Sequence, residues 1–127
     1  MKLLRFFSPD RLYDAAAARF ALLAEQAIRA RGRFAVLLSG GTTPLPLYRR
    51  LTEGPWRSSI DWQKVLLGWS DERCVPADHP SSNSRAAEDA LLAHIAIPAE
   101  HVFRIHGDAD PAVEAAAYEA RLESAFG

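Results

Sequence analysis

Cysteine is nearly absent from this chain. Cys74 stands alone, which rules out an intramolecular disulfide framework and suits a reducing, cytoplasmic compartment. Long hydrophobic runs are missing as well. No stretch approaches the roughly 18 apolar residues of a membrane span, and Met1 to Phe7 is too short, and broken by Arg5, for a signal peptide. Neither sign of charge dominates, with 15 Lys/Arg against 16 Asp/Glu. No dense Lys/Arg cluster carries interleaved aromatics, so neither nucleic acid nor a membrane is expected as a partner. His79, His94, His101 and His106 lack a tight metal-ligand spacing and have no cysteine pair beside them, so no metal site is expected. Repeats, low-complexity tracts and linkers are also missing. What remains is one domain over residues 1–127, 49% hydrophobic and 24% charged, long enough to bury about two-thirds of its unfolded surface.

The charges are unevenly placed. Residues 1–57 hold ten Lys/Arg against four Asp/Glu, and residues 58–127 hold five against twelve. Leu3 to Phe7 reads as a short strand. Ser8-Pro9-Asp10 supplies a cap, a first-position proline and an early acid for a helix to about Ala30, with Leu12, Ala16, Phe20, Leu23 and Ala27 as its buried stripe and Gly32 as its stop. Phe34 to Leu38 is a continuous apolar run, as expected of a parallel strand covered on both faces. A helix over about Pro44 to Thr52, a strand Val65 to Trp69, an irregular segment Ser70 to Asn83 and a helix from about Ser84 to Ile95 follow. Val102 to Ile105 reads as a further strand, and Asp110-Pro111 opens a last helix carrying Val113, Ala117, Tyr118, Leu122 and Phe126. Strands alternating with helices predict an α/β fold: an open, mostly parallel sheet with helices on both faces.

Two irregular segments carry the chemistry. Ser39-Gly40-Gly41-Thr42-Thr43-Pro44 leaves a strand and enters a helix. Adjacent glycines let the backbone approach a ligand closely. Thr43 as cap and Pro44 as first helical residue would leave free N–H groups and the hydroxyls of Ser39, Thr42 and Thr43 facing an anion such as phosphate. Tight strand–helix packing is the alternative use of such a turn. In the second segment, Asp71 is a carboxylate at a strand end, fit to orient water or sugar hydroxyls. Arg73 is a bidentate fork for phosphate or carboxylate. An Asp71–Arg73 ion pair is the alternative there, and Ser82 and Asn83 read equally well as helix caps. In sheets of this kind ligands sit beyond the carboxyl ends of strands, so the two loops are expected to meet in one crevice.

Taken together, Leu38-Ser39-Gly40-Gly41-Thr42-Thr43-Pro44 with Tyr48 and Leu51, then Trp69-Ser70-Asp71-Glu72-Arg73, Val75-Pro76 and Ser82-Asn83, and a third region around Tyr118, resemble the 6-phosphogluconolactonase family. The resemblance implies a fold of the glucosamine-6-phosphate deaminase and ribose-5-phosphate isomerase group. It implies hydrolysis of 6-phospho-D-glucono-1,5-lactone to 6-phosphogluconate in the oxidative pentose phosphate pathway, with no cofactor and a sugar phosphate as substrate. By the same resemblance, Gly40, Gly41 and Thr42 line the sugar-phosphate pocket, to which the anion-loop reading adds Ser39 and Thr43, Asp71 faces the ring in a supporting catalytic role, and Arg73 meets the anionic groups. It covers only the N-terminal half of such proteins, so a truncated, inactive chain is expected. The family's later Asp-Gly-His segment does not occur here, and His106-Gly107-Asp108 is no substitute for it. Apolar surface left uncovered by the missing half is expected to favour a homo-oligomer or a strand-exchanged assembly. Arg73 and Asn83 favour the lactonase over a glucosamine-6-phosphate deaminase, whose second motif resembles Asp-Glu-Tyr. A non-catalytic sugar-phosphate-binding module is the remaining alternative.

Overall fold

The computed structural model describes all 127 residues. Three parallel strands, β1 (Phe34–Leu38), β2 (Val65–Trp69) and β3 (Val102–Phe103), lie side by side in that order. Five helices connect and cover them: α1 (Pro9–Arg31), α2 (Leu45–Leu51), α3 (Trp56–Ser59), α4 (Asn83–Ala90) and α5 (Pro111–Phe126). Each crossover between neighbouring strands contains helix, as parallel pairing requires. β1 and β2 are in register from Phe34 opposite Val65 to Leu38 opposite Trp69. The open parallel α/β sheet expected from the alternation is the observed architecture.

All five residues of β2 are buried, as the central strand of such a sheet demands. On one face, Val65, Leu67 and Trp69 pack with Ala17 and Ala24 of α1, Leu51 of α2, and Ala87 and Leu91 of the α4 region. The Phe20 ring meets Phe34 edge-on at 5.3 Å between centroids. The opposite face carries α5, and Gly68 makes its approach possible: a Cβ there would lie 2.7 Å from the Tyr118 hydroxyl.

Helix ends follow their local chemistry. Ser8 caps α1 by accepting from the Arg11 N–H at 3.3 Å, and Gly32 closes it at φ 76°, donating to the Ile28 carbonyl at 2.7 Å. Asp110 caps α5, accepting from Ala112 and Val113.

Several expectations are corrected. Leu3 to Phe7 forms no strand, because no strand edge pairs with it; Leu3 is 70% and Phe7 98% exposed. The buried stripe of α1 runs through Ala17, Ala24 and Ala27, while Leu12 and Leu23 are exposed; the helix presents a face displaced by about one residue. β1 is covered on one face only: Ala35 and Leu37 stay exposed, because α5 alone serves that side and leaves them open. α2 is shorter than expected, seven residues, with Pro44 at its N-cap rather than its first position and no side-chain cap from Thr43. α4 ends at Ala90, giving way to a single tight turn over Leu92–His94. β3 has two residues instead of four, and Val113 on α5 is exposed.

Candidate functional site

The loop after β1 is pinned at its first residue. Tyr48, buried on α2, donates its hydroxyl to the Ser39 carbonyl at 2.7 Å and accepts from the Ser39 N–H at 3.1 Å. Burial pushes the Tyr48 phenol up from its ordinary value, and its hydrogen bond with Ser39 partly offsets this. Gly41 stands at φ 81°, the left-handed region where a side chain is strained. Beyond Ser39, none of the N–H groups of Gly40, Gly41, Thr42 and Thr43 donates to a protein acceptor. Residues 41–43 are exposed and Gly40 half-buried. The Thr43 carbonyl is held by the Tyr13 hydroxyl at 2.8 Å.

The second loop leaves β2 beside the first. Ser70 donates both its N–H, at 2.9 Å, and its hydroxyl, at 3.1 Å, to the Leu38 carbonyl. Asp71 is exposed, and its Oδ1 accepts from Asn83 Nδ2 at 3.1 Å. Asn83 in turn lies against Gly40, where any Cβ would overlap its carboxamide. The two loops therefore touch through one side chain. No Asp71–Arg73 ion pair forms; Arg73 is exposed and its guanidinium has no protein partner. Ser82 caps α4, accepting from Arg85 at 3.2 Å, while Asn83 does not serve as a cap.

Arg73 faces a groove of about 560 Å³ between this loop, the Ile105–Gly107 turn and α5. Residues 39–43 do not line it, which corrects the expectation of one shared crevice: the loops adjoin, but the largest cavity lies on the α5 side of residues 70–74. Tyr118 forms part of its wall, donating to the Trp69 carbonyl and accepting from the Trp69 N–H, each at 2.8 Å. Burial raises the Tyr118 phenol, and its bond to Trp69 and the charge of Arg121 moderate the shift. Glu114 lines the groove too, held below the usual carboxylate range first by the Arg121 guanidinium and then by the His106 N–H, against the opposing effect of burial.

Residues 8–127 match the family described as glucosamine-6-phosphate isomerases/6-phosphogluconolactonase. The chain belongs to this family. It is similar to the 6-phosphogluconolactonase of Nostoc sp., 42% identical over 103 residues that make up 80% of this chain and 41% of that relative. Among solved structures, the 6-phosphogluconolactonase of Thermotoga maritima superposes with a TM-score of 0.79 at 28% identity, over 98% of this chain and 53% of that one. A monomeric glucosamine-6-phosphate deaminase superposes with a TM-score of 0.86, but at 23% identity, over 99% of this chain and 52% of that one. That last likeness establishes the fold alone. The chain spans about two-fifths to one-half of the length of these three relatives.

In this glucosamine-6-phosphate isomerase/6-phosphogluconolactonase chain, the most heavily bonded site carboxylate is one that sequence reasoning missed. Glu72 accepts from the N–H groups of Arg73 and Asn83 at 2.7 Å, from that of Ser84 at 2.9 Å, and from the Ser82 hydroxyl at 3.1 Å. Burial works to raise its carboxyl, and the bonds from Ser84, Arg73, Asn83 and Ser82 overrule it, holding Glu72 below its ordinary 4.5. Three of its four partners lie ten to twelve residues away at the opening of α4. No local pattern signals such a bond; the only hint is a carboxylate some ten residues ahead of a Ser-Asn-Ser helix start. Tyr48 and Tyr118, read as motif or core residues, prove to bracket the backbone where β1 and β2 end.

Proposed function

We propose that this chain carries the sugar-phosphate-binding part of a 6-phosphogluconolactonase, which hydrolyses 6-phospho-D-glucono-1,5-lactone to 6-phosphogluconate in the oxidative pentose phosphate pathway. The observation that carries the reading is the set of four unengaged N–H groups at Gly40, Gly41, Thr42 and Thr43, linked through Asn83 to the Asp71 carboxylate, with the free Arg73 guanidinium two residues further along that second loop. Backbone N–H groups with nothing to donate to suit a phosphate, and the hydroxyls of Ser39, Thr42 and Thr43 add donors. α2 is only seven residues long, so the loop's own N–H groups, rather than a helix dipole, are the basis of this assignment.

In the reaction, water adds to the C1 carbonyl, the bond from C1 to the ring oxygen breaks, that oxygen takes a proton and leaves as a hydroxyl on the same chain, and the carboxylic acid formed at C1 ionises to a carboxylate and a proton. Residues 39–43 hold the phosphate end. Asp71 faces the ring and orients hydroxyls or water, and Arg73 receives an anionic group of substrate or product. The strong base for the water is not among these residues. Such an enzyme works in the cytoplasm without a metal or redox cofactor. Arg73 and Asn83 favour the lactone over the amino sugar of a deaminase, since Arg73 offers a charge-assisted fork to a carboxylate product. Titrating the chain with 6-phosphogluconate should shift the amide resonances of residues 39–43 and 70–73. Unmoved resonances there, in a folded sample, would remove the site assignment.

The apolar residues left open also bear on partners. Met1, Leu3, Leu4 and Phe7 are exposed around an unpaired segment, and Leu37 is 48% exposed on edge strand β1. An uncovered edge and face of this kind favour self-association or strand exchange. Light scattering on the purified chain is expected to report species larger than a monomer at micromolar concentration. A strictly monomeric result would count against it.

A further inference from the structure

We propose that Asn83 is a positioning residue that locks the glycine loop to Asp71, so that the phosphate end and the ring end of one ligand are held at a fixed spacing; this rests on the sugar-phosphate reading above. Asn83 is 6% exposed. Its Nδ2 donates to two acceptors on one residue, the Asp71 carbonyl at 3.2 Å and Asp71 Oδ1 at 3.1 Å. A carboxylate only accepts, so the amide orientation follows from the bond itself. One bond fixes the Asp71 backbone and the other fixes its side chain. The same carboxamide fills the space over Gly40 that a Cβ would need. Its backbone N–H is taken by Glu72 at 2.7 Å, which anchors Asn83 in turn. Ser82 already caps α4, so the Asn83 side chain is free of that duty.

The chemistry selects asparagine. Aspartate would keep the shape against Gly40 but lose the donor and set a second carboxylate against Asp71. Alanine would keep neither. Serine is too short to span from α4 to both loops.

The test compares inorganic phosphate, which needs the loop alone, with 6-phosphogluconate, which needs the loop and Asp71 together. Both are titrated into the full 127-residue chain and into its Asn83→Asp and Asn83→Ala variants. The expected result is a Kd for 6-phosphogluconate raised about tenfold or more in both variants, with phosphate changed by less than about threefold. Variants that bind 6-phosphogluconate like the parent overturn the proposal, and so do variants that lose both ligands equally, as a general structural role predicts. A parent chain that binds neither ligand overturns the sugar-phosphate reading itself. In that event the lock is still read in the ligand-free chain, where Asn83→Ala must shift the amides of both Gly40 and Asp71 or the proposal fails. Should Asn83→Asp not fold, Gly40→Ala supplies the second arm: it is expected to weaken phosphate binding, and Asn83→Ala in its background is expected to recover it. Absence of recovery counts against the lock.

Discussion

Residues 1–127, purified alone, should hydrolyse 6-phospho-D-glucono-1,5-lactone no faster than buffer does, even while binding its product. Ring opening needs a nucleophilic water and a stabilised tetrahedral oxyanion, and a positioned general base contributes about 10²–10⁴-fold to such a step. Carboxylates are weak bases at neutral pH. Asp71, the one placed at the junction of the loops, is exposed and engages Asn83 through Oδ1. Glu72 is unsuitable, because four donors hold its charge in place. No Asp-Gly-His segment occurs in the 127 residues. Formation of 6-phosphogluconate, read through a coupled dehydrogenase, should stay at the uncatalysed rate. Turnover in the ordinary enzymatic range of about 1–10³ s⁻¹ would overturn the assignment of roles.

Glu72→Ala should cost about 2–4 kcal/mol of folding stability, a fall in Tm of about 10 °C. The substitution leaves the N–H groups of Arg73, Asn83 and Ser84 and the Ser82 hydroxyl without their acceptor, and Ser82, Asn83 and Ser84 are all buried. Each such bond to a charged group contributes about 1.5–3 kcal/mol, discounted here because Glu72 is only half-buried and water can reach part of the gap. Glu72→Gln keeps the volume and one acceptor oxygen, so it should fall between parent and Glu72→Ala. Chemical unfolding of the three proteins decides the matter, and a loss under about 0.5 kcal/mol for Glu72→Ala would sink the idea. The pH dependence has a definite sign. Glu72 and Glu114 both have folded values lowered from 4.5. Their contribution is complete above that value and is lost as pH falls through the lower folded values. Glu72→Ala should therefore also flatten the fall in stability below about pH 4.5.

How far the sequence foretells the fold depends on how local each signal is. β2 announces itself as five apolar residues, and all five are buried. Leu3 to Phe7 offers the same local signal and remains unpaired, because a strand exists only where a neighbour supplies its hydrogen bonds. Ser8, Gly32 and Asp110 were legible as helix ends since caps act over a few residues. In the candidate site, the glycine loop and Asp71 are conspicuous by type and spacing. The roles of Glu72 and Asn83 are not, because most of their partners stand ten to twelve residues off across a loop of no regular geometry. The displaced stripe of α1 has a related cause: periodicity gives a face its width, while packing against β1 and α2 chooses its centre.

The in-register pairing of β1 with β2, prolonged by Ser70 onto the Leu38 carbonyl, has a metric consequence. Adjacent strands stand about 4.8 Å apart wherever they are hydrogen-bonded. Both loops spring from the same rung of that ladder, so their starting points are separated by a length that no side-chain substitution can adjust. On the proposed sugar-phosphate reading, the sheet sets where the two grips begin, about one strand spacing apart, and the side chains between the loops set how firmly that separation is kept. Evolution can change which chemical groups the two loops would present, but the rung from which both of them start is written into the backbone.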